Sequence, residues 1–346
     1  MNAVNVVASI LATAALLVGS AGSAAGQPEA PPRAPEPLPI GPCINLGGTL
    51  ERKAEGLYGN TVLDRADIQR VADAGFRTIR LPVRWDTRSL DAPPHTIDPA
   101  WMDRVVQIVD WAMEANLNVV LDSHHFAGLF TKPETKAPFH ATVWSQIAER
   151  FADYPEDRLW FELENEPYGK PDSESVLHIL DGSLAAVRES NPTRPVIMGG
   201  GGYGSLQAMI SMDLPDDPHV YPTFHYYSPA NFTHQGAKWA NQPYTGTLRT
   251  WGDADDMAFL AKSRERVAEY IERTGHYPFL GETGTYKVYN SLEQRVNYLK
   301  TIYDTFAPLG VGVCAWSYEG PFGMYDPDEE RWYPGLLEAM GLPEQD

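Results

Sequence analysis

Short apolar runs alternate along this chain with longer stretches in which apolar residues recur every three or four positions. The runs at 43–46, 78–81, 118–121, 159–163, 195–198, 220–224, 278–281 and 312–316 have the length and composition of strands. Between them, DRADIQRVADAG (64–75), PAWMDRVVQIVDWAMEAN (99–116) and LEQRVNYLKTIYDTFAPLG (292–310) carry the spacing of amphipathic helices. Eight strand-then-helix repeats predict an α/β fold of one kind, the (β/α)8 or TIM barrel, built as a single domain. In that architecture the residues that do chemistry gather where strands end, on the C-terminal rim.

The predicted strand ends are polar. Arg80, His124 and His125, Asn165 and Glu166, His225 and Tyr227, Glu282 and Trp316 stand there, so six strands are expected to send functional groups to one rim. The fourth strand runs into LWFELENEPYG (159–169), where alternate positions hold Glu162, Glu164 and Glu166. Period-two geometry projects all three to one side. Glu166, at the exit, is the candidate for chemistry. Glu162 is expected to be a buried acid paired to a neighbouring donor, because burying it alone would be costly. Glu164 has no assigned task.

Composition narrows the picture. The chain has 346 residues, 43% of them hydrophobic, and can bury a large core. Residues 1–26 carry no charged side chain, include an apolar run from Val6 to Val18 and end in small residues, which reads as a secretory signal peptide cleaved near Ala25 or Gly26. An uncleaved anchor is the alternative. The proline-rich stretch at 27–41 reads as a semi-rigid linker, leaving 42–346 for the barrel. A secreted or periplasmic monomer with no stable membrane association is the expectation. The formal charge of −19 repels a polyanion, so nucleic acid is not an expected partner, whereas a neutral polymer would not be repelled. Cys43 and Cys314 are the two cysteines; two buried free thiols are favoured over the disulfide that a secreted setting would permit.

Glutamates at the ends of strands four and seven lie on opposite sides of an eight-stranded ring, so their carboxyls can flank one bond across the mouth. Glycoside hydrolysis uses such a pair, one acid protonating the leaving oxygen while the other carboxylate attacks or activates water. An arginine beside Glu282 would keep it ionised, and that negative charge would raise the pKa of Glu166 and keep its proton on.

The motifs INLGGTLE, LDSHH, FELENEP, FHYY, LGETG and AWSYEG stand in the order and spacing of glycoside hydrolase family 5, the cellulase-like barrel enzymes. The resemblance spans 43 to about 320. It implies that Glu166 is the general acid/base and Glu282 the nucleophile of a retaining hydrolysis. It further implies that Arg80 positions Glu282, Asn165 binds the sugar 2-hydroxyl, Tyr227 steadies the nucleophile and His225 bonds near the acid/base. His124 would bind a sugar hydroxyl and Trp316 would stack on the pyranose. No cofactor is implied. FHYYSPANFTHQGAKW (224–239) resembles a branch that includes β-1,4-glucan endoglucanases, so cellulose-like β-glucan is the expected substrate. The same chemistry on β-mannan or β-1,3-glucan is the nearest alternative. INLGGTLE also lacks an asparagine that many members carry after the glycine pair.

Two readings from other classes compete. A non-catalytic carbohydrate-binding barrel should have lost an essential carboxylate, and both are present. A metal-dependent barrel hydrolase would use His124, His225 and an acid, but neighbouring strand residues point to opposite faces and no third ligand has metal-like spacing, so no metal is expected. Trp85, Trp144, Trp239, Trp251 and Trp332 are candidate sugar platforms for which packing is the expected role in each case.

Overall fold

The structure, a computed structural model, describes Met1 and residues 36–56, 62–169, 172–242, 246 and 248–345. The leader read as a signal peptide, beyond Met1, and most of the proline-rich stretch lie outside the described residues. The unit from Ala34 to Asp346 is compact.

Strands and helices alternate as the pattern predicts. In chain order they are β1 (Pro42–Asn45), α1 (Arg65–Asp73), β2 (Thr78–Val83), α2 (Pro99–Glu114), β3 (Asn118–Ser123) and α3 (Pro133–Arg150). Next come β4 (Leu159–Glu162), α4 (Ser173–Ser190), β5 (Val196–Gly199), α5 (Leu206–Ile210) and β6 (Val220–His225). Last are α6 (Ala254–Thr274), β7 (Phe279–Thr283), α7 (Leu292–Phe306) and β8 (Gly312–Ala315). The eight strands pair in sequence order into a closed barrel, β8 lying parallel to β1. Each predicted strand is present with its ends within two residues of the expected ones.

Local chemistry sets the helix starts. Asp64 caps α1 in a capping box with Asp67, and Asp98, Asp172, Asp253 and Ser291 each accept a backbone N–H at the start of α2, α4, α6 and α7. Each satisfies a donor that the helix itself leaves open. Because every helix follows a strand, these starts face the C-terminal end of the barrel, where the loops carry the site.

The strands are buried on both faces, which is why they read as continuous apolar runs. Ile79, Leu81, Val119, Leu121, Phe161 and Met198 point outward and pack under the helices. Cys43, Val120, Trp160, Ile197, Tyr221, Phe279 and Cys314 fill the lower interior, and Ile40 closes it from below. Leu38 also packs there, so chain assigned to the linker takes part in the barrel floor. Above this apolar layer the interior turns polar.

The expectation of free thiols is corrected. Cys43 and Cys314 occupy paired positions in the β1–β8 register, with Cα atoms 4.2 Å apart, and form a disulfide. Barrel closure brings together residues separated by 271 positions in the chain, a proximity that spacing could not reveal. Among the tryptophans, Trp85, Trp144, Trp251 and Trp332 are buried as expected, whereas Trp239 is 62% exposed and stands edge-on to Tyr286.

Candidate active site

Arg80 organises the polar layer. It lies in the middle of β2, not at its end as the sequence suggested, because the strand continues to Val83. Its side chain is wholly buried. Nε donates to Glu162 Oε2 at 2.6 Å, Nη1 to Asn45 Oδ1 at 3.0 Å and Glu282 Oε1 at 2.9 Å, and Nη2 to Glu162 Oε1 at 3.0 Å and Asn165 Oδ1 at 2.7 Å. All five guanidinium N–H groups therefore have acceptors, so none is left unsatisfied in the interior. Asp122 Oδ2 also lies 3.0 Å from Nη2. One cation cannot neutralise three buried acids. Desolvation consequently pushes Asp122 up to about 8 and raises Glu162, against the opposing pull of Arg80.

A chain of hydrogen bonds crosses the mouth from this centre. His124 Nδ1 lies 2.6 Å from Asp122 Oδ2, and His124 Nε2 lies 3.2 Å from Asn165 Nδ2. Burial holds His124 well below its ordinary pKa, so the ring is neutral. A single imidazole proton then sits on Nδ1 facing Asp122, and Nε2 accepts from the Asn165 amide. This orientation leaves Asn165 Oδ1 to accept from Arg80, as observed.

Glu166 and Glu282 meet across the mouth. A carboxylate oxygen of each and an imidazole nitrogen of His225 lie within 4.8 Å of one another. His225 Nδ1 is 2.9 Å from Glu166 Oε1 and 3.6 Å from Glu282 Oε2. The Tyr227 hydroxyl donates to Glu282 Oε2 at 3.0 Å. Glu282 thus has both oxygens engaged by donors, whereas the Glu166 side chain is 26% exposed and has His225 beside one oxygen.

Burial pushes both carboxyls up to about 7; Arg80 pulls Glu282 back down while Glu166 pushes it up, and Arg80 pulls Glu166 down. The two groups titrate as a pair. Because Arg80 and Tyr227 direct their protons at Glu282, the negative charge resides there and the shared proton on Glu166. The raised pKa of Glu166 was expected from the nearby negative charge; desolvation is its first cause instead. Burial lowers His225, which is therefore neutral, and burial with the charge of Glu282 holds Tyr227 well above its ordinary range as a donor.

The strands distort where these groups emerge. The β6–β7 register shifts between Phe224 and His225, setting His225 opposite Glu282, and the β7–β8 register shifts between Leu280 and Thr283. Such irregularities re-aim side chains beside active sites. On the β8 side Trp316 is half-buried, its ring parallel to His124 at 5.6 Å and 13°. Gly47 makes room for it, since a Cβ there would lie 2.6 Å from the indole.

The sequence reading of LWFELENEPYG is half upheld. Glu162 is the buried, paired acid expected. Glu164 does not share its face: β4 ends at Glu162, and beyond it the side chain turns outward to accept the Phe126 N–H at 2.9 Å and the Ser123 hydroxyl at 3.0 Å. Asn45 and Asp122 were missed. Asp122 had a legible signal, because it shares its inward face with Val120, and Asn45 likewise follows Cys43 by two. His125 follows the end of β3 with φ 62° and is exposed, its ring edge-on to His124 at 4.2 Å.

Known proteins similar to this chain fall in one family. The family model described as cellulase, glycosyl hydrolase family 5, matches residues 44–320. Endoglucanase H of Acetivibrio thermocellus is 33% identical over 305 residues, covering 87% of this chain but only 32% of the relative. Endoglucanase B of Clostridium cellulovorans is 30% identical over 327 residues, covering 86% of this chain and 72% of the relative. A structure of Thermotoga maritima Cel5A in complex with cellobiose superposes with a TM-score of 0.83 at 30% identity, covering 87% of this chain and 97% of that one. A (β/α)8 barrel whose mouth carries two facing glutamates is the frame of a glycoside hydrolase. The chain belongs to glycosyl hydrolase family 5.

Proposed function

We propose that the protein is a retaining endo-β-1,4-glucanase in which Glu282 is the nucleophile and Glu166 the general acid/base. The observation that carries this reading is the spacing of the pair. Oxygens of the two carboxyls within 4.8 Å of each other suit direct attack on the anomeric carbon, whereas an inverting pair stands about 6.5–9.5 Å apart to admit water.

In the first step Glu282 Oε2 attacks the anomeric carbon as the bond to the leaving oxygen breaks, and Glu166 transfers its proton to that oxygen. In the second, Glu166, now ionised, takes a proton from water as the water oxygen displaces Glu282. Arg80 and Tyr227 keep Glu282 ionised in the resting state. His225 Nδ1, 2.9 Å from Glu166 Oε1, occupies one oxygen of the acid/base and leaves the other to carry the mobile proton. Asn165 has one amide hydrogen committed to His124, and its second is available to the sugar 2-hydroxyl, a contact that tightens in the transition state. Both nitrogens of His124 face protein partners, so its role is better assigned to holding Asn165 than to binding sugar. Trp316 offers the flat apolar face on which a pyranose stacks.

The substrate class rests on the relatives, named endoglucanases, and on the Cel5A complex with cellobiose. A second reading, β-mannan, has a specific observation behind it, because Cel5A was also solved with mannotriose. Secretion fits the charge-poor leader; among the described residues no helix is long and apolar enough to cross a membrane. The test is hydrolysis of carboxymethylcellulose, mixed-linkage glucan, mannan and laminarin, with the anomer of the first product followed by NMR. Rapid chain shortening of the β-1,4-glucans with β-anomer released first is the expected result. Release of the α-anomer, or activity confined to laminarin, contradicts the proposal.

A further inference from the structure

Glu164 is the acid in LWFELENEPYG to which the proposed mechanism gives no task. It is 2% exposed and turned away from the mouth. Its Oε1 accepts the N–H of Phe126 and its Oε2 the hydroxyl of Ser123. Ser123 ends β3, Phe126 follows His124 by two, and Glu164 precedes Asn165 by one and Glu166 by two. One carboxylate therefore ties the exits of β3 and β4 together from outside the barrel. The same two exits are tied from inside by His124 and Asn165, and between these bonds the Asn165 N–H donates to the Ser123 carbonyl at 2.8 Å.

The groups around Glu164 do not explain it as an ion pair. His140 on α3 lies 3.6 Å away, but burial lowers its pKa to about 3, so the ring is neutral. His140 Nδ1 faces Ser183 Oγ on α4 at 2.7 Å, and Trp144 on α3 donates its indole N–H to the Leu163 carbonyl at 3.0 Å. The acids Asp86 and Glu162 oppose the charge of Glu164 further. Packing alone would be served better by an apolar side chain, because a buried carboxyl without a cation is costly. What an apolar side chain lacks is an acceptor for the Phe126 N–H and the Ser123 hydroxyl across this seam.

We propose that Glu164 is a positioning residue for the acid/base: anchored on Ser123 and Phe126, it sets the backbone path that presents Asn165 and Glu166 to the glycosidic bond. This rests on the assignment of Glu166 above. A displacement of about 1 Å at a reacting group costs on the order of 100-fold in rate. The loss should fall on proton transfer, because Glu282 is carried by β7 and held by Arg80 and Tyr227.

The test compares Glu164→Leu, Glu164→Gln and Ser123→Ala with the unaltered protein on cellotetraose, whose leaving group needs the proton, and on an activated dinitrophenyl β-cellobioside, which needs it less. Melting temperature is measured alongside. Glu164→Leu is expected to lose roughly 30-fold or more in kcat/KM, which reports the first, proton-donating step, on cellotetraose but less than about fivefold in kcat/KM on the aryl glycoside, with its alkaline pH limb displaced. Glu164→Gln keeps an acceptor for Phe126 and a partner for Ser123, and should restore both rates to within about threefold. Ser123→Ala, which deletes one bond, should show the same ordering at smaller size and serves if the leucine variant fails to fold. Equal losses on the two substrates, or a lowered melting temperature with unchanged rates, would overturn the proposal. Glu166→Ala is run in parallel; if it too fails to separate the substrates, the acid/base assignment falls rather than the positioning role.

Discussion

At the scale of single residues, the site is an arrangement for dividing one proton between two carboxyls. Desolvation pushes Glu166 and Glu282 up to about 7, and the donors that surround Glu282 decide which of them keeps the charge. The proposed mechanism requires Glu282 ionised and Glu166 protonated, so its active form has the pair singly protonated. Acid removes it by protonating Glu282, and alkali removes it by deprotonating Glu166. The kcat/KM profile should therefore be a bell that falls on both sides of the neutral to mildly acidic range. Glu166→Ala should lose the alkaline limb, and a limb that stays in place would assign it elsewhere. Of the other expected rim groups, His124, Asn165, His225, Tyr227 and Trp316 converge on the mouth, whereas His125 is exposed beside it. Arg80 was misplaced by position because the β2 run could be read only to Leu81, although its partnership with Glu282 was legible. The disposition of Glu164 was hidden because period-two inference assumes a strand that continues, and β4 stops two residues earlier.

At the scale of elements, the strands were legible and their irregularities were not. A parallel strand buried on both faces leaves an apolar run in the sequence, but the register shifts at His225 and between Leu280 and Thr283 leave no pattern. Loops are similarly silent about close approaches. The turn after β1 passes so near Trp316 that a Cβ at Gly47 would collide with the indole, and the packing of ring against backbone fixes the plane of the ring proposed to stack on sugar. Gly47→Ala is expected to raise KM for cello-oligosaccharides roughly tenfold by displacing the ring, with little change in melting temperature because the loop is at the rim. An unchanged KM would remove Trp316 from the binding surface. The Ser123–Glu164–Phe126 seam belongs to this scale too, since it concerns how two strand exits are held in register after their ladder has ended.

At the scale of the whole molecule, the (β/α)8 architecture followed from periodicity, while the Cys43–Cys314 bond did not, because it depends on how the ring closes. The interior layering also has a global consequence. Asp122 and Glu164 are pushed up to about 8, and Glu166 and Glu282 up to about 7, all by burial first. Folded-state values above the ordinary carboxyl range mean that the folded protein binds these protons more tightly than the unfolded chain. Their stabilisation is fully present below about 4.5 and is lost as pH rises through 7 to 8. Self-repulsion at a formal charge of −19 acts in the same direction. The melting temperature should accordingly be higher at pH 5 than at pH 8.5, and the reverse order would mean that Asp122, Glu164 and Glu166 are ionised in the fold.

The central claim is that Glu282 bonds to the sugar while Glu166 handles the proton. The most direct measurement is mass analysis after treatment with a 2-deoxy-2-fluoro-β-cellobioside bearing a dinitrophenyl leaving group, which slows release of a glycosyl-enzyme. One fluorocellobiosyl group should appear on the peptide containing Glu282, and Glu282→Gln should take none. An active protein that acquires no label, or that carries it on Glu166 or any other residue, would contradict the account.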